Sequence, residues 1–152
     1  MDVYEKLKEM GLTLPPPPTP KGIYKPVKQA GNMLYVSGQT PSENGVAVVC
    51  GKVGAERTVE EGQHAARICT LNALSHLHNY LGDLNKIKNL VKTLGLVASA
   101  PNFNEQPKVI NGASGLLRDL FGEDAGVGAR SAIGTNELPG NVTVEIEFIF
   151  EI

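Results

Sequence analysis

One hundred and fifty-two residues, 41% apolar and 20% charged, are the proportions of a single soluble domain with enough chain to bury a core. A net charge of −2 gives no electrostatic footprint for nucleic acid or an anionic membrane, and no apolar run approaches the length that spans a bilayer. Met1 to Leu7 lack the basic-then-apolar order of a secretory signal, and Cys50 and Cys69 follow no metal or redox spacing, so the chain reads as reduced and cytoplasmic.

In chain order, Val3 to Met10 forms a short amphipathic helix stopped by Gly11. Pro15 to Pro18 and Pro20 then force an extended, polyproline-like arm laid over the surface. From Val27 the pattern turns to strand. Gln29-Ala30-Gly31-Asn32 makes a hairpin turn, and Met33-Leu34-Tyr35-Val36 is a strand that ends at Ser37-Gly38-Gln39. Pro41 to Gly45 is a loop, with a short strand over Val46 to Val49.

Thr58-Val59-Glu60-Glu61 fits a capping box and opens a long helix. Ala65, Cys69, Ala73, Leu77 and Tyr80 mark its buried stripe, widened by Ile68, Leu74 and Leu81, and Gly82 closes it. A strand follows over Ile87 to Ala98. Pro107 fits the first turn of a second long helix, which buries Val109, Ile110, Ala113, Leu116, Leu117, Leu120 and Phe121 and ends at Gly122.

Two strands complete the chain. In the last, Val142, Val144, Ile146, Phe148 and Phe150 share one face, while Thr143, Glu145, Glu147 and Glu151 take the other. Apolar flanks place that strand inside the sheet. Arg130 ends the loop before these strands, so the acidic face is expected to close on an arginine loop as a small polar pocket. The order β-β-(β)-α-β-α-β-β, with two helices on one face of a mixed sheet, makes an α+β domain. Its other sheet face needs a partner, which points to an oligomer.

The chemistry is sparse. His64, His76 and His78 all lie on the long helix at spacings that make no chelating pair, so they read as solvated or capping residues. An acid–base ribonuclease has no evident equipment here. Ser37 lacks a nucleophile elbow but suits a hydrogen-bonding role beside Gly38, where a ligand can approach the backbone. Gly126-Val127-Gly128 precedes a strand and makes no phosphate cradle. Arg130 could hold a carboxylate through two parallel hydrogen bonds, or could pair with Glu145 or Glu147 as a simple ion pair.

Several of these pieces resemble the YjgF/RidA family, also called endoribonuclease L-PSP proteins. They are Gly22-Ile23-Tyr24, Ala30-Gly31-Asn32 through Val36-Ser37-Gly38-Gln39-Thr40-Pro41, Asn111, and Ala129-Arg130-Ser131 through Leu138-Pro139 to Val144-Glu145-Ile146-Glu147. The resemblance covers Gly22 to Ile152 as one domain, with residues 1–21 as an N-terminal helix and proline arm. It implies a chorismate-mutase-like fold of the bacillus type, a homotrimer, and ligand sites in the clefts between subunits. It implies hydrolysis of reactive enamine or imino acids, such as 2-iminobutanoate and 2-iminopropanoate, to 2-oxo acids and ammonia without cofactor or metal. By motif position Arg130 would clamp the substrate carboxylate and Glu145 would position the water. Tyr24, Ser37 and Asn111 would line the pocket, while Gly38 and Ala132 would offer backbone groups. Ala132 stands where the family often has a cysteine, and Lys25-Pro26-Val27 departs from its usual residues. The rival readings are a ribonuclease acting as a translation inhibitor, and a non-catalytic small-carboxylate-binding regulator.

Overall fold

In a computed structural model, which describes residues 2–152, one five-stranded sheet runs in the order β1-β2-β7-β5-β6. Its strands are β1 (Val27–Ala30), β2 (Met33–Gln39), β5 (Asn89–Ala98), β6 (Ala129–Thr135) and β7 (Val144–Glu151). The pair β5/β6 is parallel and the others are antiparallel, so the sheet is mixed and the fold is α+β. The last strand of the chain is the central one. Its alternation decides which sheet face becomes core: Val144, Ile146, Phe148 and Phe150 are buried under the helices. Full burial of each phenylalanine contributes about 1.5–3 kcal/mol.

Helices α2 (Val59–Leu81) and α3 (Gln106–Ala125) cover that face, α2 over β7 and β2, α3 over β5 and β6. The capping box is formed: the Thr58 hydroxyl accepts from the Glu61 N–H and the Glu61 carboxylate accepts from the Thr58 N–H. Gly82 closes α2 in the left-handed conformation at φ 76°. Two close approaches set the height of α3. Gly95 on β5 lacks a Cβ, which would fall 2.5 Å from Ile110 Cδ1. Gly112 on α3 lies against the α2 backbone, where a Cβ would overlap the Gln63 carbonyl oxygen.

Helix α1 (Val3–Glu9) is capped by the Asp2 carboxylate and buries Val3 and Leu7 in the same core. The Tyr4 hydroxyl accepts from the Leu84 N–H and sits 2.8 Å from His78 Nδ1. The proline arm is tied to α2 where the Ser75 hydroxyl donates to the Pro15 carbonyl at 2.7 Å.

Several boundaries differ from the sequence reading. Strand β5 begins at Asn89, because Leu84–Lys86 forms a 3-10 turn. Only Val46–Ala47 (β4) pairs in the short hairpin, with Ser42–Glu43 (β3), around a turn in which Asn44 and Gly45 have positive φ. Gly122 interrupts α3 at φ 87°, ψ 172° without ending it, and the chain re-enters a helical turn to Ala125. Tyr80 leaves the buried stripe and donates to Gln29 instead. Thr143 is not on an open face: it is buried, its hydroxyl donating to the Gly51 carbonyl. Among the described residues no helix is long and apolar enough to cross a membrane.

The uncovered sheet face carries Tyr35, Lys92, Leu94, Leu96, Ile133, Glu145, Glu147 and Ile149. Tyr35 and Ile133 are 47% and 50% exposed, an unusual exposure for large apolar side chains in mid-strand.

Candidate functional site

The residues singled out in the sequence form two groups. The first is built on α3 and β6. Arg130 is the second residue of β6, in register with Thr93, which is buried beneath the helices. Neighbours in register share a face, so Arg130 reaches the helix side of the sheet. There its Nη1 donates to Asn111 Oδ1 at 2.7 Å and to Ser114 Oγ at 3.2 Å. Asn111 and Ser114 stand i, i+3 on one helix surface, and Gly112 between them locks that surface against α2. A bond from Gln63 Nε2 to the Lys108 carbonyl supports the same contact. Ala132 follows two residues along β6 on the same face, packed against the core.

The second group is built on a bulge in β2. Between the pairs Val36↔Phe148 and Gln39↔Ile146, Ser37 and Gly38 together oppose the single residue Glu147. The bulge brings Gly38 under the side chain of Glu145, where a Cβ would sit 3.0 Å from the carboxyl carbon. Glu145 is half-buried, and burial first, then the Glu147 carboxylate, pushes its carboxyl above the usual range. The Ser37 hydroxyl donates to the Lys25 carbonyl at 2.6 Å, and its N–H donates to the Pro26 carbonyl. Those two bonds fasten the exposed residues Gly22 to Lys25, with Tyr24, and the partly buried Pro26 to the bulge.

The two groups do not meet within one chain. Arg130 lies two strands from β7 and level with Phe148, three residues from Glu145, which places their Cα atoms about 14 Å apart. Their side chains also leave opposite faces, because Glu145 alternates with the buried Val144 and Ile146. Arg130 therefore belongs to a strand, not a loop, and does not close the acidic face. It is also not the ion-pair partner of Glu145 or Glu147.

His76 is buried, which lowers its pKa, so the solvated reading fails for it. His78 is engaged by Tyr4. His64 borders a cleft of about 460 Å³ with Arg57, Glu60 and Glu61. No cluster of three metal-binding side chains occurs among the described residues. Sequence reasoning missed Ser114. The available signal was its i, i+3 spacing from Asn111 on the helix that precedes the arginine strand.

A family model described as "YjgF/chorismate mutase-like, putative endoribonuclease" matches residues 5–151, which includes most of α1 and the whole proline arm. Protein TCP17 of Trypanosoma cruzi is 40% identical over 150 residues, covering 99% of this chain and 94% of that protein. The crystal structure of Atu1372 from Agrobacterium tumefaciens, of unknown function, has a TM-score of 0.90 at 46% identity, covering 99% of this chain and 91% of that one. A "putative endoribonuclease" from Shewanella oneidensis MR-1 has a TM-score of 0.95 at 34% identity, with both chains covered completely.

Proposed function

The chain belongs to the YjgF/chorismate mutase-like family, and on that premise we propose that it hydrolyses 2-imino and enamine acids to 2-oxo acids and ammonia. The observation that carries this reading is the Arg130 guanidinium. Its Nη1 is anchored on Asn111 and Ser114, while Nε and Nη2 have no partner among the described residues. Those two nitrogens form the planar edge that accepts a carboxylate bidentately.

The site is completed across a homotrimer. One copy supplies Arg130, Asn111 and Ala132, and its neighbour supplies Tyr24, Ser37, Gly38 and Glu145. The split of the two groups and the exposed apolar side chains of the uncovered sheet face support this arrangement. A protonated imine is already electrophilic at carbon, so the reaction needs orientation and a placed water more than a nucleophilic side chain. Water adds to that carbon and passes a proton to the Glu145 carboxylate. The proton is returned to the nitrogen of the carbinolamine; the Glu145 carboxylate then takes the hydroxyl proton as the C–N bond breaks, giving the 2-oxo acid and ammonia, and the ammonia leaves with that proton as ammonium. A carboxylate whose pKa burial raises is a stronger base for this exchange than an ordinary one. Both cysteines are free, which fits a cytoplasmic setting.

The test is release of ammonia and 2-oxo acid when the purified protein meets imines generated in situ by an amino-acid dehydratase. Acceleration abolished by Arg130→Ala supports the reading. RNA cleavage lost in that same variant, with no effect on imines, replaces it with the ribonuclease reading. Tight 2-oxo-acid binding without turnover replaces it with the regulatory one.

A further inference from the structure

Arg130 Nη1 donates to two acceptors one turn apart on α3, Asn111 Oδ1 and Ser114 Oγ. Two acceptors on one nitrogen fix the plane as well as the position; one acceptor leaves the group free to rock about the remaining bond. We propose that Ser114 is a positioning residue for Arg130, turning the Nε–Nη2 edge toward the substrate carboxylate, a role that rests on reading Arg130 as the clamp.

The behaviour of Ser114 on its helix supports this. Buried hydroxyls inside a helix commonly donate back to a carbonyl one turn earlier, as Thr70 does to Ala66. Among the described residues Ser114 makes no such bond, and its oxygen accepts from Arg130. It is half-buried beside Ala113, Leu116 and Leu117 of the core, and α3 is held against α2 at Gly112, two residues away. The oxygen therefore sits on a rigid support, which a positioning group requires. Asn111 alone would supply the shorter bond. Ser114 supplies the second point that defines a plane.

Two readouts on the full chain test this. In the first, affinity for a 2-oxo acid and the kinetics of imine hydrolysis are compared in wild type, Ser114→Ala and Ser114→Thr. Loss of one of the two bonds that orient the guanidinium, with its charge kept, predicts roughly a five- to tenfold lower kcat/KM for Ser114→Ala, with 2-oxo-acid affinity falling less. Ser114→Thr, which keeps the hydroxyl, restores both. The second needs no ligand: rotation of the Arg130 guanidinium, followed by NMR on protein carrying 15N-arginine, is expected to be slowed in wild type and faster in Ser114→Ala. Unchanged rotation together with unchanged kcat/KM in Ser114→Ala overturns the proposal. If wild type neither hydrolyses imines nor binds 2-oxo acids, but rotation still accelerates in Ser114→Ala, Ser114 still holds the guanidinium, and the proposed reaction falls together with the orientation toward a carboxylate.

Discussion

Arg130 and Glu145 leave opposite faces of one sheet, with Asn111 and Ser114 of α3 against the first and Gly38 of the β2 bulge against the second. No single chain can close both on one small molecule. If the site spans two copies, inactive variants should complement each other. Arg130→Ala mixed equally with Glu145→Ala, unfolded and refolded together, should regain about a quarter of wild-type activity, since random assembly pairs an intact Arg130 half with an intact Glu145 half that often. Each variant refolded alone should stay inactive. No recovery in mixed assemblies of demonstrated composition would mean that the two residues serve separate sites.

Glu145 gives a pH prediction with a definite sign. Its folded pKa is raised above the ordinary 4.5 by burial and by Glu147. The stability favouring its neutral form is therefore complete below pH 4.5 and lost as pH rises through the folded value. Glu145→Gln should be at least as stable as wild type at pH 7, with the advantage shrinking toward pH 4 in urea titrations. Turnover should fall in that variant while 2-oxo-acid affinity holds, because its partner is the water. The acidic limb of the wild-type rate profile should disappear with the carboxyl. An identical acidic limb in Glu145→Gln would assign the titration to another group.

Gly112 couples the α2–α3 packing to the arginine. A methyl group there overlaps the Gln63 carbonyl, so α3 must move away from α2. Gly112→Ala should cost about 1–3 kcal/mol by overpacking, despite the better helix propensity of alanine. The midpoint should drop by about 2–4 °C per kcal/mol in a thermal melt. Affinity for a 2-oxo acid should weaken as well, because Asn111 and Ser114 flank the displaced residue. Gly115→Ala, where a Cβ meets nothing within 4 Å, is the control and should be neutral or slightly stabilising.

Much of this architecture could be read from the chain because its signals are local. The Thr58/Glu61 box, the left-handed Gly82 and the alternation from Val144 to Phe150 each act within a few residues, and each appears where the pattern puts it. The side to which Arg130 points was not legible. It depends on β6 pairing parallel to β5, which places Arg130 beside Thr93 instead of above the acids of β7. Parallel pairing is a consequence of the α3 crossover, a long-range relation without a mark in the Ala129-Arg130-Ser131 stretch itself. Ser37 was legible as a hydrogen-bonding residue, but its partner, the Lys25 carbonyl, follows from the bulge that two-residue spacing arguments pass over. His76 looked like a surface residue because nothing in a helical wheel announces that both flanks of the stripe are covered.

The sharpest single substitution is Arg130→Lys. Arginine satisfies two demands at once: Nη1 is held by Asn111 and Ser114, and the Nε–Nη2 edge stays available for a carboxylate. Lysine keeps the positive charge but gathers its donors on one atom at the end of a flexible stem. That atom can approach Asn111 and Ser114 or the substrate, and cannot hold a carboxylate in a fixed plane while doing both. If orientation supplies most of the catalytic gain, Arg130→Lys should fail almost as badly as Arg130→Ala, losing tenfold for each ~1.4 kcal/mol of transition-state stabilisation removed. Binding of a 2-oxo acid should fall less than turnover in the lysine variant, because charge attraction survives when geometry is lost. Steady-state kinetics beside calorimetric affinities would separate the two quantities. Near-wild-type turnover in Arg130→Lys would show that the fork is not what orients the substrate, and would return Arg130 to a structural tie between α3 and β6.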